Sequence, residues 1–424
     1  MEVPVLALIP SSYNVGKLYS ALPINGSGDF DFSRDGIGSR INSTGLMDFK
    51  SNNIPRLDYY SNECPALLLE PTRENKLIYS EESQFKTLNN VTLTDNYAIS
   101  PSGISSAIRV NEGFSNSSHS IDLGNVTVST NTDYTFSIFV KKESSLRSVV
   151  IEMFSGVGSF NLDNQQTTGD LVLLESYSND WYRIGMTQNS LANTSVNCKV
   201  YISQDSTTNS YIGDESTFLL WGTQLEEGNY PSSYIKTEAS TIIRTNDICS
   251  NAGNSTLFSA NKGSLFVDIE PFDKKTDFDI AVSDGTDSNM VRFEFVSGSR
   301  LVYAHLVSEG TTVSLAAPFD YSALDRIKIL ITYKKDELKF YANGNKIDEV
   351  FLTSTPINMN RFDFCKYDET KLVEGRVYGA RVFNKVLNEG DSVLITTPST
   401  TPSIPQDPNG PNYVFQNFNN YLFN

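Results

Sequence analysis

The sequence predicts an all-β protein: two antiparallel β-sandwich domains, with an extended leader before them and a peptide tail after them. Three observations carry this. Hydrophobic alternation with period two recurs along most of the chain, the 3.6 period of a helix shows in one short stretch, and runs of Ser, Thr, Asn, Asp and Gly separate the alternating segments. At 424 residues the chain has room for two or three domains of about 150 residues. With 39% hydrophobic and 11% aromatic residues it carries too much apolar surface to stay unfolded.

Residues 1–75 are rich in Gly, Asn, Ser and Pro and read as an extended, loop-rich arm. In 76–245, Tyr134-Thr135-Phe136-Ser137-Ile138 alternates cleanly, and Val149, Ile151 and Met153 share one side of their segment. With Cys198–Ile202 and Thr217–Trp221 these read as half-buried antiparallel strands of a sandwich or jelly roll. A second β-region, 246–396, opens with the alternation of Ser264–Glu270, followed by Val291–Phe295. Here Arg326–Tyr333 leads through Lys334-Lys335-Asp336-Glu337 into Leu338–Ala342, and Asn343-Gly344 supplies the two positive-φ positions of a type I′ turn. The two sandwiches are expected to meet near 245–262, with Asn251–Asn254 open to proteolysis. Asn384–Ile395 reads as helix. A Pro/Thr linker, 397–411, then leads to an aromatic peptide, 412–424, whose Tyr413, Phe415, Phe418, Tyr421 and Phe423 are expected to attach to a partner surface.

Charge and composition exclude several functions. The chain has 33 Lys and Arg against 50 Asp and Glu, a net charge of -17 that repels nucleic acid and anionic lipid. The four cysteines, Cys64, Cys198, Cys249 and Cys365, form no C-x-x-C pair, which argues against a thiolate metal site and against a disulfide scaffold. The apolar opening Val3–Ile9 follows Glu2, is interrupted by Pro4, and is too short to span a bilayer; it reads as a strand or an arm.

No G-x-S-x-G, H-E-x-x-H, Walker A or G-x-G-x-x-G pattern occurs, and no strand carries the E-x-D-x-x-E spacing of sandwich glucanases. The two histidines, His119 and His305, read as structural. The expectation is therefore a protein that is not an enzyme and holds no cofactor. Two Asp clusters, Asp29/Asp31/Asp35 and Asp284/Asp287, have the spacing of Ca²⁺-loop ligands, a spacing that solvated turns share. Sugar binding calls for aromatic faces that stack on pyranose rings. Trp181, Tyr182 and Trp221 are the candidates, although aromatic residues on alternating strands also serve as core.

The segment Trp221-Gly222-Thr223-Gln224-Leu225-Glu226, continued through Tyr230-Pro231-Ser232-Ser233-Tyr234-Ile235-Lys236-Thr237, closely resembles the WGAQLE…PTSYI.T ending of carbohydrate-binding-module-like domains in tailed-bacteriophage fibre and head-spike proteins. Trp181-Tyr182-Arg183-Ile184 resembles a strand of the same modules, and Gly28–Arg34, Arg40-Ile41-Asn42 and Pro55–Tyr59 resemble their leader. Where that leader commonly has small residues after Ser-Arg, this chain has Asp35-Gly36-Ile37-Gly38-Ser39. Phe340–Gly344 and Gly379–Lys385 are similar to laminin-G and concanavalin A-like sandwiches. The resemblance implies a structural protein of a virion surface, such as a head fibre, tail fibre or capsid decoration, made in the host cytoplasm. It also implies partners among other virion proteins, copies of itself as a dimer or trimer, and host surface glycans. A purely structural decoration and, more distantly, a glycan hydrolase are the alternatives.

Overall fold

A computed structural model describes residues 2–398, apart from 61–63, 85, 146, 206, 260 and 273–276, and apart from the side chains of 171 and 172. The linker from 399 on and the aromatic peptide, with Tyr413, Phe415, Phe418, Tyr421 and Phe423, lie outside the described residues.

The N-terminal sandwich is built where alternation is cleanest. Its first sheet runs Val91–Ile99, Ser105–Glu112, Thr217–Glu227, Asp133–Lys142, Trp181–Asn189, Leu171–Tyr177. The second runs Thr87–Asn89, Asn116–Thr127, Ser195–Ser203, Ser148–Met153, Gly156–Asn161, Thr167–Gly169, with Ser210–Ile212 also on Asn116–Thr127. All pairings in both sheets are antiparallel. The inward residues Tyr134, Phe136, Ile138, Val149, Ile151 and Met153 meet between them in one core, as the period of two requires.

The C-terminal sandwich pairs a sheet of Thr311–Ser314, Leu301–Ser308, Met290–Val296, Phe278–Ser283 and Arg361–Asp363 with a larger one. That larger sheet runs Asn345–Val350, Glu337–Ala342, Ile327–Lys334, Lys262–Pro271, Gly375–Phe383, Ala66–Leu69, Arg56–Asp58. The predicted hairpin is present: Ala342 pairs with Asn345 across Asn343 (φ 44°) and Gly344 (φ 81°), the left-handed pair that a I′ turn needs. The single described helix, Glu389–Thr396, starts five residues later than the sequence suggested, because strand pairing runs on to Phe383 and Asn388 caps the helix by accepting from the Asp391 amide. The helix, through Ile395, and Leu387 just before its cap cover the sheet's outer face against Phe266, Leu330, Tyr341 and Phe383.

The leader is not an arm. Leu6–Leu8 pairs with Gly375–Phe383, Ala66–Leu69 pairs with the same strand, and Phe30–Ser33 pairs with Ile248–Ser250. Its apolar clusters explain this, since Leu6, Leu8, Leu67 and Leu69 all enter the C-terminal core, and burying a leucine is worth about 1.5–3 kcal/mol. Nor is Asn251–Asn254 a loose connection. Ala252 is fully buried and exchanges backbone hydrogen bonds with Phe362, and the Asn251 amide donates to Asp363 Oδ1 at 2.7 Å.

A second leader contribution decides the surface of the N-terminal sandwich. The hairpin Gly38–Ile41 with Met47–Lys50 lies over the outer face of the first sheet, where Ile41 and Met47 pack with Phe139, Trp181, Leu219, Trp221 and Tyr234. The central strands of that sheet, Thr217–Glu227 and Asp133–Lys142, are therefore buried on both faces.

Leader and sandwiches are fastened by a charged node of Arg34, Arg56, Glu70, Arg244 and Asp247, each no more than 3% exposed. Arg34 reaches Asp247 at 3.1 Å, Arg56 reaches Glu70 at 2.6 Å and also bonds Asp247, and Arg244 lies 2.8 Å from Glu70. The Glu70 carboxyl is dehydrated, which alone would raise its pKa, but Arg244, Arg56 and bonds from Ser233 outweigh this and hold it far below the usual carboxylate range.

Candidate functional site

The aromatic residues singled out from sequence do not form a sugar platform. Trp181 and Trp221 are fully buried under the leader hairpin, their indole N–H groups donating to the Ile99 carbonyl at 3.2 Å and to Ser106 Oγ at 3.0 Å. Tyr182 is half-buried and packs on Phe160 at 5.1 Å. The reason is that alternation places the indoles away from the sandwich core, and the leader then covers them.

The Trp221–Thr237 segment is a clasp. Between the pairs Phe139↔Trp221 and Ser137↔Gln224 the strand carries one extra residue, and Gly222 takes φ 63° there, where a Cβ would stand 2.8 Å from the Phe139 ring. This bulge lets Trp221 face outward and Leu225 inward. Gln224 Oε1 accepts from the Ile235 amide at 2.7 Å, and Glu226 accepts from the Ser232 amide at 2.9 Å and hydroxyl at 2.6 Å. Tyr234 packs on Trp221 at 4.5 Å. These polar side chains of the motif are spent on folding the chain back over its own strand.

Below this clasp lies a cleft of about 460 Å³ whose walls come from three parts of the chain. The leader gives Arg40, Asp58 and Tyr60, the N-terminal sandwich gives Glu175, Tyr177 and Tyr230, and the C-terminal sandwich gives Glu270, Phe272 and Arg376. Its volume falls within the range of small-molecule sites, about 300–1,000 Å³.

Arg376 organises the cleft. Its Nε donates to Asp58 Oδ2 and its Nη1 to Glu270 Oε1, both at 2.8 Å. The guanidinium carbon lies 4.3 Å from the Tyr60 ring centre and 4.7 Å from that of Phe272, so the cation holds two rings in place. Burial pulls its pKa down, but Asp58 and Glu270 overcome that and raise it. Asp58 is positioned in turn by the Ile41 amide, 2.8 Å from its Oδ1.

The phenols are also set by carboxylates. Tyr177 donates to Glu175 Oε2 at 3.1 Å, Tyr378 to Glu270 Oε2 at 2.9 Å, and Tyr230 to Glu374 Oε2 at 3.0 Å. Burial first, then Glu175, pushes the Tyr60 and Tyr177 hydroxyls well above the ordinary phenol range, so both stay protonated. Tyr60 and Tyr177 meet edge-on at 6.5 Å, and Tyr230 and Phe272 lie 6.0 Å apart. The result is a recess of fixed rings interleaved with carboxylates and a guanidinium, an arrangement that offers flat apolar faces and hydrogen-bonding groups side by side.

None of these cleft residues was selected from the sequence. Arg40, Asp58 and Tyr230 stand in segments noted for their resemblance, not as ligand candidates, and the partners of the site are as far apart as Asp58 and Arg376, 318 residues, a distance no spacing rule reaches.

The remaining candidates have structural settings. His119 is fully buried with its ring nitrogens 3.0 Å from the Asn90 carbonyl and 3.2 Å from the Tyr211 carbonyl. His305 Nδ1 lies 2.8 Å from Ser314 Oγ, and its Nε2 lies 3.0 Å from Glu294 Oε2 without hydrogen-bond alignment. In the Asp clusters, Asp31 pairs with Lys17 at 2.6 Å, Asp284 closes its own turn on the Thr286 amide at 2.8 Å, and Asp287 accepts from Tyr367 at 3.0 Å. Among the described residues no group of three or more His, Cys, Asp or Glu is arranged to hold a metal ion, and no helix is long and apolar enough to cross a membrane.

No family model and no curated protein matches the chain. Solved structures do. The CBM40 domain of the Ruminococcus gnavus IT-sialidase is 12% identical, with 35% of this chain and 93% of that one covered and a TM-score of 0.28. Domain 4 of AbnA, a GH43 extracellular arabinanase from Geobacillus stearothermophilus, is 9% identical over 40% of this chain and 84% of its own, with a TM-score of 0.32. The heptameric SAP-like pentraxin of Limulus polyphemus is 11% identical over 32% and 69%, with a TM-score of 0.22. At such scores the likeness carries no functional argument, and the assignment of β-sandwiches rests on strand pairing.

Proposed function

We propose that this protein is a non-enzymatic, glycan-binding component of a virion surface, a fibre, spike or decoration subunit that holds a host-surface saccharide in the cleft between its sandwiches. The observation that carries glycan binding is the recess of Tyr60, Tyr177, Tyr230 and Phe272 set among Asp58, Glu175, Glu270 and Arg376. Stacking on rings with polar groups fixed by their neighbours is the chemistry by which proteins take hydroxyl-rich ligands. The virion setting rests on the resemblance of Trp221–Thr237 and of the leader to phage fibre and head-spike proteins. In this setting the protein associates with other virion proteins and with copies of itself, and the aromatic peptide 412–424 docks on a neighbouring chain.

A glycan array and calorimetric titration test the binding half. Saccharide binding that disappears in Phe272→Ala while the melting temperature holds supports it, and absence of binding across host polysaccharides favours the purely structural decoration. That second reading has its own support, because the motif with the strongest resemblance is used up in a fold-holding clasp. Immunogold labelling of particles tests the virion half, and release of reducing sugar from host polysaccharide would mark a hydrolase instead.

A further inference from the structure

Charge at the cleft points to the class of glycan, an inference that rests on the proposed binding of saccharide there. Four guanidinium groups line the cleft, Arg40, Arg183, Arg300 and Arg376, with the carboxylates Asp58, Glu175, Glu270 and Asp325; Glu70 also reaches its wall but is paired with Arg56 and Arg244 of the buried node. An acidic sugar needs a guanidinium fork with donors to spare, and Arg40, Arg183 and Arg300 are each held through both terminal nitrogens.

Arg40 donates through Nε at 2.9 Å and Nη2 at 3.3 Å to Asp48, and through Nη1 at 2.7 Å to the Leu57 carbonyl. Arg183 is held by the Ser232 carbonyl and Ser137 Oγ, at 2.8 and 3.0 Å. Arg300 is held by the carbonyls of Ser322 and Leu324, at 2.7 and 3.0 Å. Arg376, the one guanidinium set between the rings, is over-neutralised: Asp58 and Glu270 bond it directly and Glu175 acts on it through space. Its faces are also taken by Tyr60 and Phe272.

A ligand carboxylate or sulfate entering here would meet three carboxylates, Asp58, Glu175 and Glu270, whose charge outweighs that of the one cation among them. The whole chain, at -17, adds to that repulsion at long range. A sugar hydroxyl meets the opposite situation, since each carboxylate oxygen keeps a second lone-pair direction after accepting its protein donor.

We infer that the cleft selects uncharged, hydroxyl-rich oligosaccharides and rejects acidic ones, with Glu175 and Glu270 as the acceptors that specify hydroxyls and the rings as the stacking faces.

The test titrates full-length protein with a panel of neutral hexose oligosaccharides and with size-matched sialylated, uronate-containing and sulfated ones, at low and at physiological ionic strength. Neutral sugars are expected to bind at least about tenfold tighter than their acidic counterparts, with the gap widest at low salt, where repulsion is least screened. Glu175→Gln should weaken neutral binding several-fold and narrow the gap, and circular dichroism and the melting temperature show that the variant is folded. Acidic glycans bound as tightly as neutral ones or better, with binding lost in Phe272→Ala, would overturn the selectivity while leaving glycan binding standing. If folded protein binds no saccharide of either kind, the underlying reading fails.

Discussion

The buried node and the cleft use the same chemistry to different ends. In the node, Arg34, Arg56 and Arg244 meet Glu70 and Asp247 with side chains no more than 2% exposed. In the cleft, Arg376 meets Asp58 and Glu270 with side chains 13%, 3% and 22% exposed, and its guanidinium is flanked by two rings that line an open volume. Both fasten leader strands to a sandwich. Only the second leaves aromatic faces and carboxylate lone pairs facing a space where a ligand fits. Arginine–carboxylate pairing by itself therefore says nothing about function; what surrounds the pair, closed packing or an open recess, decides whether it holds the fold or organises a site.

The sharpest way to break this contrast is Arg56→Ala. It removes the cation that Glu70 and Asp247 share in a dry interior and leaves each carboxylate with one arginine, Arg244 and Arg34 respectively; removing one partner of a buried pair costs about 3–5 kcal/mol. Urea denaturation should show a loss of this size. A loss under about 1 kcal/mol would mean that the node behaves like a surface pair and that the comparison is false.

The pH dependence of stability comes next. The folded-state pKa of Glu70 lies below its ordinary value of 4.5, so its contribution is complete above the ordinary carboxylate range and is lost as pH falls through that range toward the folded value. Wild-type protein should therefore lose stability on acidification through that window. Glu70→Gln should be less stable at neutral pH and show a shallower acid slope in the same window, measured by denaturation at a series of pH values. An unchanged slope would remove Glu70 from the account.

At the cleft the expected order reverses, with a large change in binding and a small one in stability. Phe272→Ala truncates a half-buried ring that one face of Arg376 rests on. Saccharide affinity should fall about tenfold or more, on the scale of a lost stacking contact of about 1–1.5 kcal/mol, while the melting temperature moves by only a few degrees at most. A collapse of stability without a separate effect on binding would make the cleft a second fastening point.

Smallest of all in its effect on the folded protein is deletion of 412–424. The melting temperature of the isolated chain should stay the same while light scattering and particle incorporation show loss of association. Earlier unfolding of the truncated chain would place the peptide in the intramolecular core.

Much of the secondary structure was legible because its causes are local. Alternation in Asp133–Lys142 and Ser148–Met153 comes from the pleat, and Asn343-Gly344 turns the chain because those two residues tolerate positive φ. The site was not legible. Asp58, Glu175 and Arg376 are ordinary charged residues in their own neighbourhoods and become a recess only when three distant segments meet.

By itself, then, the sequence determined which residues share a face of each strand, where the hairpin turns, and that the chain is all-β. The tertiary structure alone decided what covers each face. Period two places Trp181 and Trp221 opposite the sandwich core, which without the leader would be solvent, and the hairpin Gly38–Ile41 with Met47–Lys50 makes it interior. The leader's own composition, poor in regular periods, hid its destination, because Leu6–Leu8 and Ala66–Leu69 join the large sheet by pairing with the distant strand Gly375–Phe383. Strand pairing between residues hundreds of positions apart leaves no local periodicity that names the partner, so faces are written in the chain and their neighbours are not.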